Sequence, residues 1–346
     1  MKKIAFLSIV LCCFLFTHFS FSQQIKGVVL DGKTNNPIIG ASVYFHNTSI
    51  GVSTDHLGEF SLYRNSKIKT PLVISFIGYN TITHNDFSSS KRLTLYLDES
   101  NDVLNEVVIN TNDGWSRELK LEQFLKHFLG ESKNGRSCTI LNTDDIILRY
   151  NKKKMQLTAK SKAPIYVKNK NLKYLIAVDL SHFEANYSYV SKNNKRMSFD
   201  YVYYLGHNFF KSEEERPSKK TIEKRKEAYE GSVLRFMRAL ARKNLKKGGY
   251  VVYYRNYSIH PSKYIEVEPM DKEDYLVSVH LKKKIFIYKK GMQSNVESFI
   301  DKFYIDGFGN HFPAEKVLFG GDFGSKRMGD TLPLDYLDPE PTKKGK

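Results

Sequence analysis

Residues 24–98 constrain the fold more than any other stretch of this 346-residue chain. Apolar side chains there fall on alternate positions in short runs, and glycine, proline or aspartate interrupts the pattern at roughly 8–12-residue intervals. Val28, Val29 and Leu30 end an opening strand, Asp31-Gly32 turns it, and Pro37 blocks ladder pairing before Gly40 frees the next run. In Ala41–Asn47, Val43 and Phe45 point one way while Ser42, Tyr44 and His46 point the other, the period of a half-buried strand. Phe60 and Leu62 share a face, as do Leu93, Leu95 and Leu97. Leu72–Ile77 is apolar on both faces and belongs in the middle of a sheet. Asp55-His56-Leu57-Gly58 reads as a hairpin turn with Gly58 at positive φ, and Gly78 as a strand end. About seven short strands in so few residues predict a β-sandwich.

The remainder also reads as mainly β, of the α+β class. Leu119, Leu121, Phe124, Leu125, Phe128 and Leu129 recur at helical spacing after Ser116, a candidate N-cap, and Gly130 lies past the end. Strand-like runs follow: ILRY, MQLTAK, PIYVKN, KYLIAVDL, FEANYSYV and MSFDYVYYLG. Pro217-Ser218 then opens a predicted basic amphipathic helix reaching about Lys247, stopped by Gly248-Gly249. Ile222, Tyr229, Phe236, Met237 and Leu240 fall on its apolar stripe, with Lys219, Arg225 and Arg238 in the remainder. Strands resume through GYVVYYR, KYIEVEP, YLVSVHLK, KIFIYKK and SFIDKFYID, and the tail FGGDFGSKR fails the phosphate-loop spacing and reads as a turn-rich cap. The expected architecture is an N-terminal seven-stranded β-sandwich, then an antiparallel-sheet domain with two amphipathic helices. A small membrane barrel would accommodate the strand count, but the long basic helix and the Lys-Gly-Lys end argue against it.

Residues 1–22 read as a secretory signal: Lys2 and Lys3, the apolar run Ile4–Phe16, then Ser20-Phe21-Ser22 before Gln23. Cys12 and Cys13 lie inside that run, which leaves Cys138 without an internal disulfide partner and suits it to a small core position. Charge is unevenly distributed. Residues 23–110 hold 7 Lys/Arg against 8 Asp/Glu, net −1, whereas residues 111–346 carry +16. In an exported chain that excess points away from nucleic acid and toward anionic lipid, acidic polysaccharide or a protein partner.

The order GVV, P-I-x-G-A-x-V, T-D-x-x-G-x-F-x-L and L-x-I-S-F-I-G-Y resembles the carboxypeptidase-like regulatory domain, a transthyretin-like sandwich. The resemblance implies a non-catalytic module. It also occurs at the N-terminus of TonB-dependent outer-membrane receptors, where a run like Leu104–Ile109 leads into a plug and a barrel. No plug sequence follows here, and the remaining length cannot supply a 22-stranded barrel. His56-Leu57-Gly58-Glu59 fits the H-x-x-E zinc pair of the metallocarboxypeptidases, with His182 as a conceivable third ligand. The turn context of His56 and Glu59 argues against that reading. FLGESKNGRSCTILN, AYEGSVLRFMRAL and RMGDTLPLDY resemble a group of exported proteins that carry the same N-terminal sandwich, which implies architecture and export and no activity.

The expected organisation is therefore a signal peptide (1–22), a regulatory-type sandwich (23–110) and a basic α+β domain (111–346). No catalytic, cofactor-binding or metal-ligating residues are assigned. His127, His182, His207, His260, His280 and His311, with Glu184 and Asp306 among the nearby acids, supply raw material for a site without a readable spacing. The expected function is non-enzymatic binding or assembly in the cell envelope, in the periplasm or at the outer membrane or cell surface. The expected partner is an envelope protein or an anionic lipid or polysaccharide surface. One alternative is a glycan-binding accessory to an outer-membrane nutrient receptor, with Tyr187, Tyr189, Tyr201, Tyr203 and Tyr204 as a stacking surface, and a second is an enzyme with an unrecognised site built from those histidines and acids.

Overall fold

The computed structural model describes residues 22–65, 68–86, 92–100, 113–270 and 276–338. Residues 1–21 of the expected signal, the Leu104–Ile109 run and the final Lys-Gly-Lys lie outside the described residues. The alternation of residues 24–98 produces seven strands: β1 (Ser22–Asp31), β2 (Ser42–Phe45), β3 (Gly51–Ser53), β4 (Glu59–Asn65), β5 (Leu72–Ser75), β6 (Ile82–His84) and β7 (Leu93–Leu97). They form two sheets, ordered β4-β1-β7 and β3-β2-β5-β6, with β1 and β7 parallel. Val29, Val43, Phe45, Leu72, Ile74 and Leu97 interlock between them. All four residues of β5 are buried, as expected of a strand apolar on both faces. Gly58 closes its turn at φ 70°, and Cβ-bearing residues are disfavoured there.

Helix α1 (Arg117–Leu129) begins where the sequence predicts, with Ser116 Oγ accepting from Leu119 N and Gly130 ending it at φ 91°. A short α2 (Lys133–Arg136) follows. Then come β8 (Cys138–Ile140), β9 (Ile146–Asn151), β10 (Gln156–Ser161), β11 (Ile165–Asn169), β12 (Tyr174–Val190) and β13 (Met197–Ser212). KYLIAVDL and FEANYSYV form one 17-residue strand, β12, which carries a bulge between Leu180 and His182. β13 pairs with β12 along its length, while β11 and then β10 pair with β12's other edge. α1 lies over β9 and β10 and closes a core containing Trp115, Phe124, Phe128, Phe183 and Tyr187.

The helix expected over 217–247 is two helices, α3 (Lys219–Glu230) and α4 (Val233–Ala241). Gly231 ends the first, and Ser232 Oγ caps the second by accepting from Arg235 N at 3.1 Å. Two residues of the predicted solvated face are buried: Arg225 is 6% and Arg238 7% exposed, while Ile222 is 37% exposed. The Arg225 guanidinium lies 3.8 Å from the Tyr174 ring centre and donates to the carbonyls of Leu172 (2.8 Å) and Lys173 (3.0 Å). Arg238 donates to the carbonyls of Phe308 (2.8 Å), Leu334 (2.7 Å) and Tyr336 (2.9 Å) and to the Tyr229 hydroxyl (3.2 Å).

The remaining strands are β14 (Val251–Tyr254), β15 (Tyr257–Ile259), β16 (Ile265–Pro269), β17 (Leu276–Leu281), β18 (Ile285–Lys289), β19 (Met292–Ser298), β20 (Lys302–Asp306), β21 (His311–Phe312) and β22 (Val317–Gly321). They form sheets ordered β15-β14-β18-β19-β22 and β16-β17-β20-β21. α4 and both sheets share a second core around Phe236, Met237, Val279 and Phe303. Residues 113–338 thus contain two cores and three antiparallel sheets, where the sequence suggested one sheet under two helices. The mainly-β, α+β class stands. None of the sheets closes on itself among the described residues, and no described helix is long and apolar enough to cross a membrane.

The C-terminal segment ties these units together. Asn169 donates to Gly329 O at 2.9 Å, and Asp330 Oδ1 accepts from Ser132 Oγ at 2.8 Å. Gly329 meets Gly135 so closely that a Cβ on it would lie 2.4 Å from the Gly135 Cα. Further on, Leu334 N donates to Asn47 O at 2.7 Å, and Asp335 accepts from the Ser49 backbone N–H at 2.8 Å and from its hydroxyl.

Candidate functional site

The loop of the β2–β3 hairpin is built into the outer end of β13. Asn47 N donates to Asn208 O at 2.8 Å, and Phe210 N donates to Thr48 O at 3.0 Å. The Asn208 amide reaches Asn47 Oδ1 at 2.6 Å. Thr48, wholly buried, pairs in parallel with Phe209, whose ring centre lies 5.2 Å from that of Tyr44. Asn47 takes φ 58°, a left-handed conformation that asparagine tolerates. The sandwich makes a second contact with the basic units where Lys69 N donates to the buried carboxylate of Asp306 at 3.1 Å.

Beside the seam a cleft of about 500 Å³ opens between the two units. Ser75, Asn80 and Thr81 line the sandwich side; Lys160, Asp179 and Ser181 line the other. Asp179 Oδ2 is buried and makes no hydrogen bond among the described residues, an acceptor left free at the cleft. Opposite Asp179 on β13 stands His207, whose Nδ1 lies 3.2 Å from the Nδ1 of His46 on the sandwich. Burial, and then the neighbouring His207, push His46 down to about 3. Burial also lowers His207, against the opposing pull of Asp179. Both shifts favour the neutral imidazoles, so that one ring's N–H can donate to the other's bare nitrogen across the seam.

From the cleft, a polar stripe runs down the outer face of β12 and β13. Glu184 faces Tyr203 across the ladder, and Asn186 faces Tyr201. Glu184 accepts from Gln156 (3.1 Å), Asn186 (3.2 Å) and the Tyr201 hydroxyl (3.5 Å), and lies 3.3 Å from His182 Nε2. Burial, then Glu184, raises the Tyr201 hydroxyl pKa. The stripe is thus a carboxylate already surrounded by donors, which suits recognition more than proton transfer. Of the tyrosines expected to form one platform, Tyr187 turns into the core beside Trp115 and Tyr204 packs against Phe128. Tyr201 and Tyr203 share the outer face with Glu184, and Tyr189 is exposed nearer the tip.

The other expected histidines do not converge. His127 is buried, stacked 4.1 Å from the Phe199 ring, and pushed down to about 4 by burial and then by Lys126 and Arg327. His260 contacts Ser262 Oγ at 2.7 Å, and His280 contacts Asp301 O at 2.7 Å. Burial pushes His311 down to about 4. Asp306 caps its own turn, accepting from Phe308 N and Asn310 N, and burial raises it to about 6 against those donors. Cys138 donates to Asn134 O at 3.3 Å, and burial, then Asp330, push its thiol up to about 12, the wrong direction for a nucleophile. His56 sits in the β3–β4 turn, and Glu59 is paired with Arg92. His182 pairs with Glu184 on the far unit. Among the described residues, no three His, Cys, Asp or Glu side chains stand close enough to hold a metal ion.

Asp179, Gln156 and Asn186 are site residues that sequence reading missed. Their only signal was polar residues on alternate positions of strands whose other face is apolar, which marks a solvated face without marking a site. Comparison with known proteins bears on the sandwich. Residues 25–109 match the model of the CarboxypepD_reg-like domain. Over 92 residues the chain is 36% identical to the TonB-dependent receptor SusC of Bacteroides thetaiotaomicron, a match spanning 26% of this chain and 9% of that receptor.

Proposed function

We propose that the protein is a non-enzymatic binding and assembly protein of the cell envelope, exported to the periplasm or held at the outer membrane or cell surface. The sandwich and the basic units act as one body against an anionic surface or a protein partner. The similarity of residues 25–109 to a regulatory-type domain, and to part of an outer-membrane receptor, supports the address and a non-catalytic sandwich. The observation that carries the reading is the seam. A module of net −1 is joined by backbone hydrogen bonds to units of net +16, so the protein presents the cationic surface and the sandwich together. The buried Arg225 and Arg238 take no part in that surface, but exposed lysines such as Lys219, Lys246 and Lys247 remain. The test is co-sedimentation of the mature chain with vesicles containing anionic lipid or lipopolysaccharide. Binding is expected to fall steeply from about 0.01 M to about 1 M salt, as the screening length shrinks from about 30 Å to about 3 Å. Binding that ignores salt, or equal binding to uncharged vesicles, would refute the electrostatic reading.

A further inference from the structure

The sheet β15-β14-β18-β19-β22 buries one face against α4 and leaves the other open. Strand alternation places three ranks of side chains on that open face, the outermost being Leu318 beside Glu297, whose charge is paired with Lys284 at 3.4 Å. Val251, Tyr288 and Gln293 stand side by side on neighbouring strands, and Tyr253, Phe286, Asn295 and Gly320 form the next rank. Tyr288 is 44% and Val251 40% exposed. Gly320 leaves the room its neighbour uses, since a Cβ there would lie 2.5 Å from the Asn295 amide nitrogen. A depression of about 440 Å³ is lined by Tyr253, Asn256, Phe286, Tyr288 and Gln293, with Arg255 at one end.

We infer that this face binds a neutral oligosaccharide. The occupant follows from what the face presents and what it lacks. Phenol and phenyl rings beside primary amides offer apolar surface to the C–H faces of a sugar ring and both donors and acceptors to its hydroxyls. The lining carries one formal charge, Arg255, whose guanidinium stands 5.5 Å from the Tyr254 ring centre. Within units of net +16, a patch almost free of lysine does not match an anionic membrane or an acidic protein. Gln293 and Asn295 in the middle would be left unpaired beneath a purely apolar partner. The face lies outside the residues matched by the regulatory-domain model and is independent of the electrostatic reading above.

The test is binding of the full mature chain to an array of neutral and acidic oligosaccharides, followed by titration calorimetry. At least one neutral glycan is expected to bind, with an affinity unchanged between about 0.01 M and about 1 M salt. Tyr253→Ala and Tyr288→Ala are each expected to weaken it by about tenfold, the scale of one lost aromatic contact, with vesicle binding and the circular dichroism spectrum preserved. Gln293→Leu, which keeps the fold and removes only hydrogen bonds, is expected to weaken it too. Failure of every neutral glycan to bind overturns the inference. So does loss of vesicle binding in the two tyrosine variants, which would make the face a membrane contact. A change of sedimentation mass in those variants would make it a contact with a second copy and overturn the inference equally.

Discussion

The sandwich and the two basic units are stabilised in different ways. The sandwich core is a set of aliphatic and aromatic side chains, and its buried polar groups are mostly hydroxyls with one turn-forming carboxylate, Asp31. The basic units bury cations. Arg225 and Arg238 saturate backbone carbonyls, and Lys289, 3% exposed, donates to Glu230 O at 2.8 Å and to the Glu230 carboxylate at 3.0 Å. Burying a charge is costly unless each of its donors finds a partner, so these side chains act as all-or-none clamps. Apolar packing in the sandwich loses stability in proportion to the volume removed. The difference shows that a net charge counted from sequence overstates the charge available at the surface.

Acid should expose the contrast most strongly. His46, His127 and His311 have folded pKa values of about 3, 4 and 4, below the unfolded value of about 6.5. Their contribution to stability is present above pH 6.5 and is lost as pH falls toward those values. Linkage gives about 2 kcal/mol for each at pH 5. Asp306 runs the other way: its pKa is raised to about 6, so the folded state takes up its proton first as pH falls and recovers about 1 kcal/mol. The net loss from pH 7 to pH 5 is about 5 kcal/mol, measurable by urea denaturation. Equal stability at the two pH values would show that these side chains are not closed off from water.

Arg238→Met comes next. It keeps much of the packing volume but leaves the carbonyls of Phe308, Leu334 and Tyr336 without their donor, a cost of about 3–5 kcal/mol. Hydrogen exchange should show the C-terminal segment released together with α4. A cost below about 1 kcal/mol would remove the distinction between clamps and packing. The smallest effect is expected at the seam. Asn208→Ala removes the side-chain bond to Asn47 and should cost about 1–2 kcal/mol while leaving both cores intact. The Phe210 amide, which bonds across the seam to Thr48 O, should then exchange faster than amides within the sandwich. Unchanged protection would show that the backbone bonds hold the seam without that amide pair.

How legible each region was follows from the same difference. Five of the sandwich strands could be read one by one, because their faces alternate or, in β5, are apolar throughout, whereas the three-residue β3 and β6 bury no face that would mark them. β19 could not: in MQSNVES only Val296 is an apolar residue buried in the core, and the buried Ser294 is there because its hydroxyl accepts from Phe323 N. The break between α3 and α4 was visible as Gly231-Ser232, but the apolar spacing carried the reading across it. Arg225 and Arg238 could not be placed, since an arginine facing a carbonyl-lined pocket has the same helical spacing as one facing water. The candidate cleft was not legible either. Asp179, Ser181 and Lys160 lie on one unit and Ser75, Asn80 and Thr81 on another, and nothing in their spacing joins them.

By itself the sequence determined the seven-stranded sandwich, the capped α1 helix, the mainly-β class and the charge asymmetry, because these depend on local periodicity, turn chemistry and composition. Tertiary structure decided how the units join, which cations are structural, where the tyrosines point and which sheet face stays open. Those outcomes depend on contacts between residues far apart in the chain, such as Asn47 with Asn208 and Arg238 with Leu334, and local pattern carries no record of such partners.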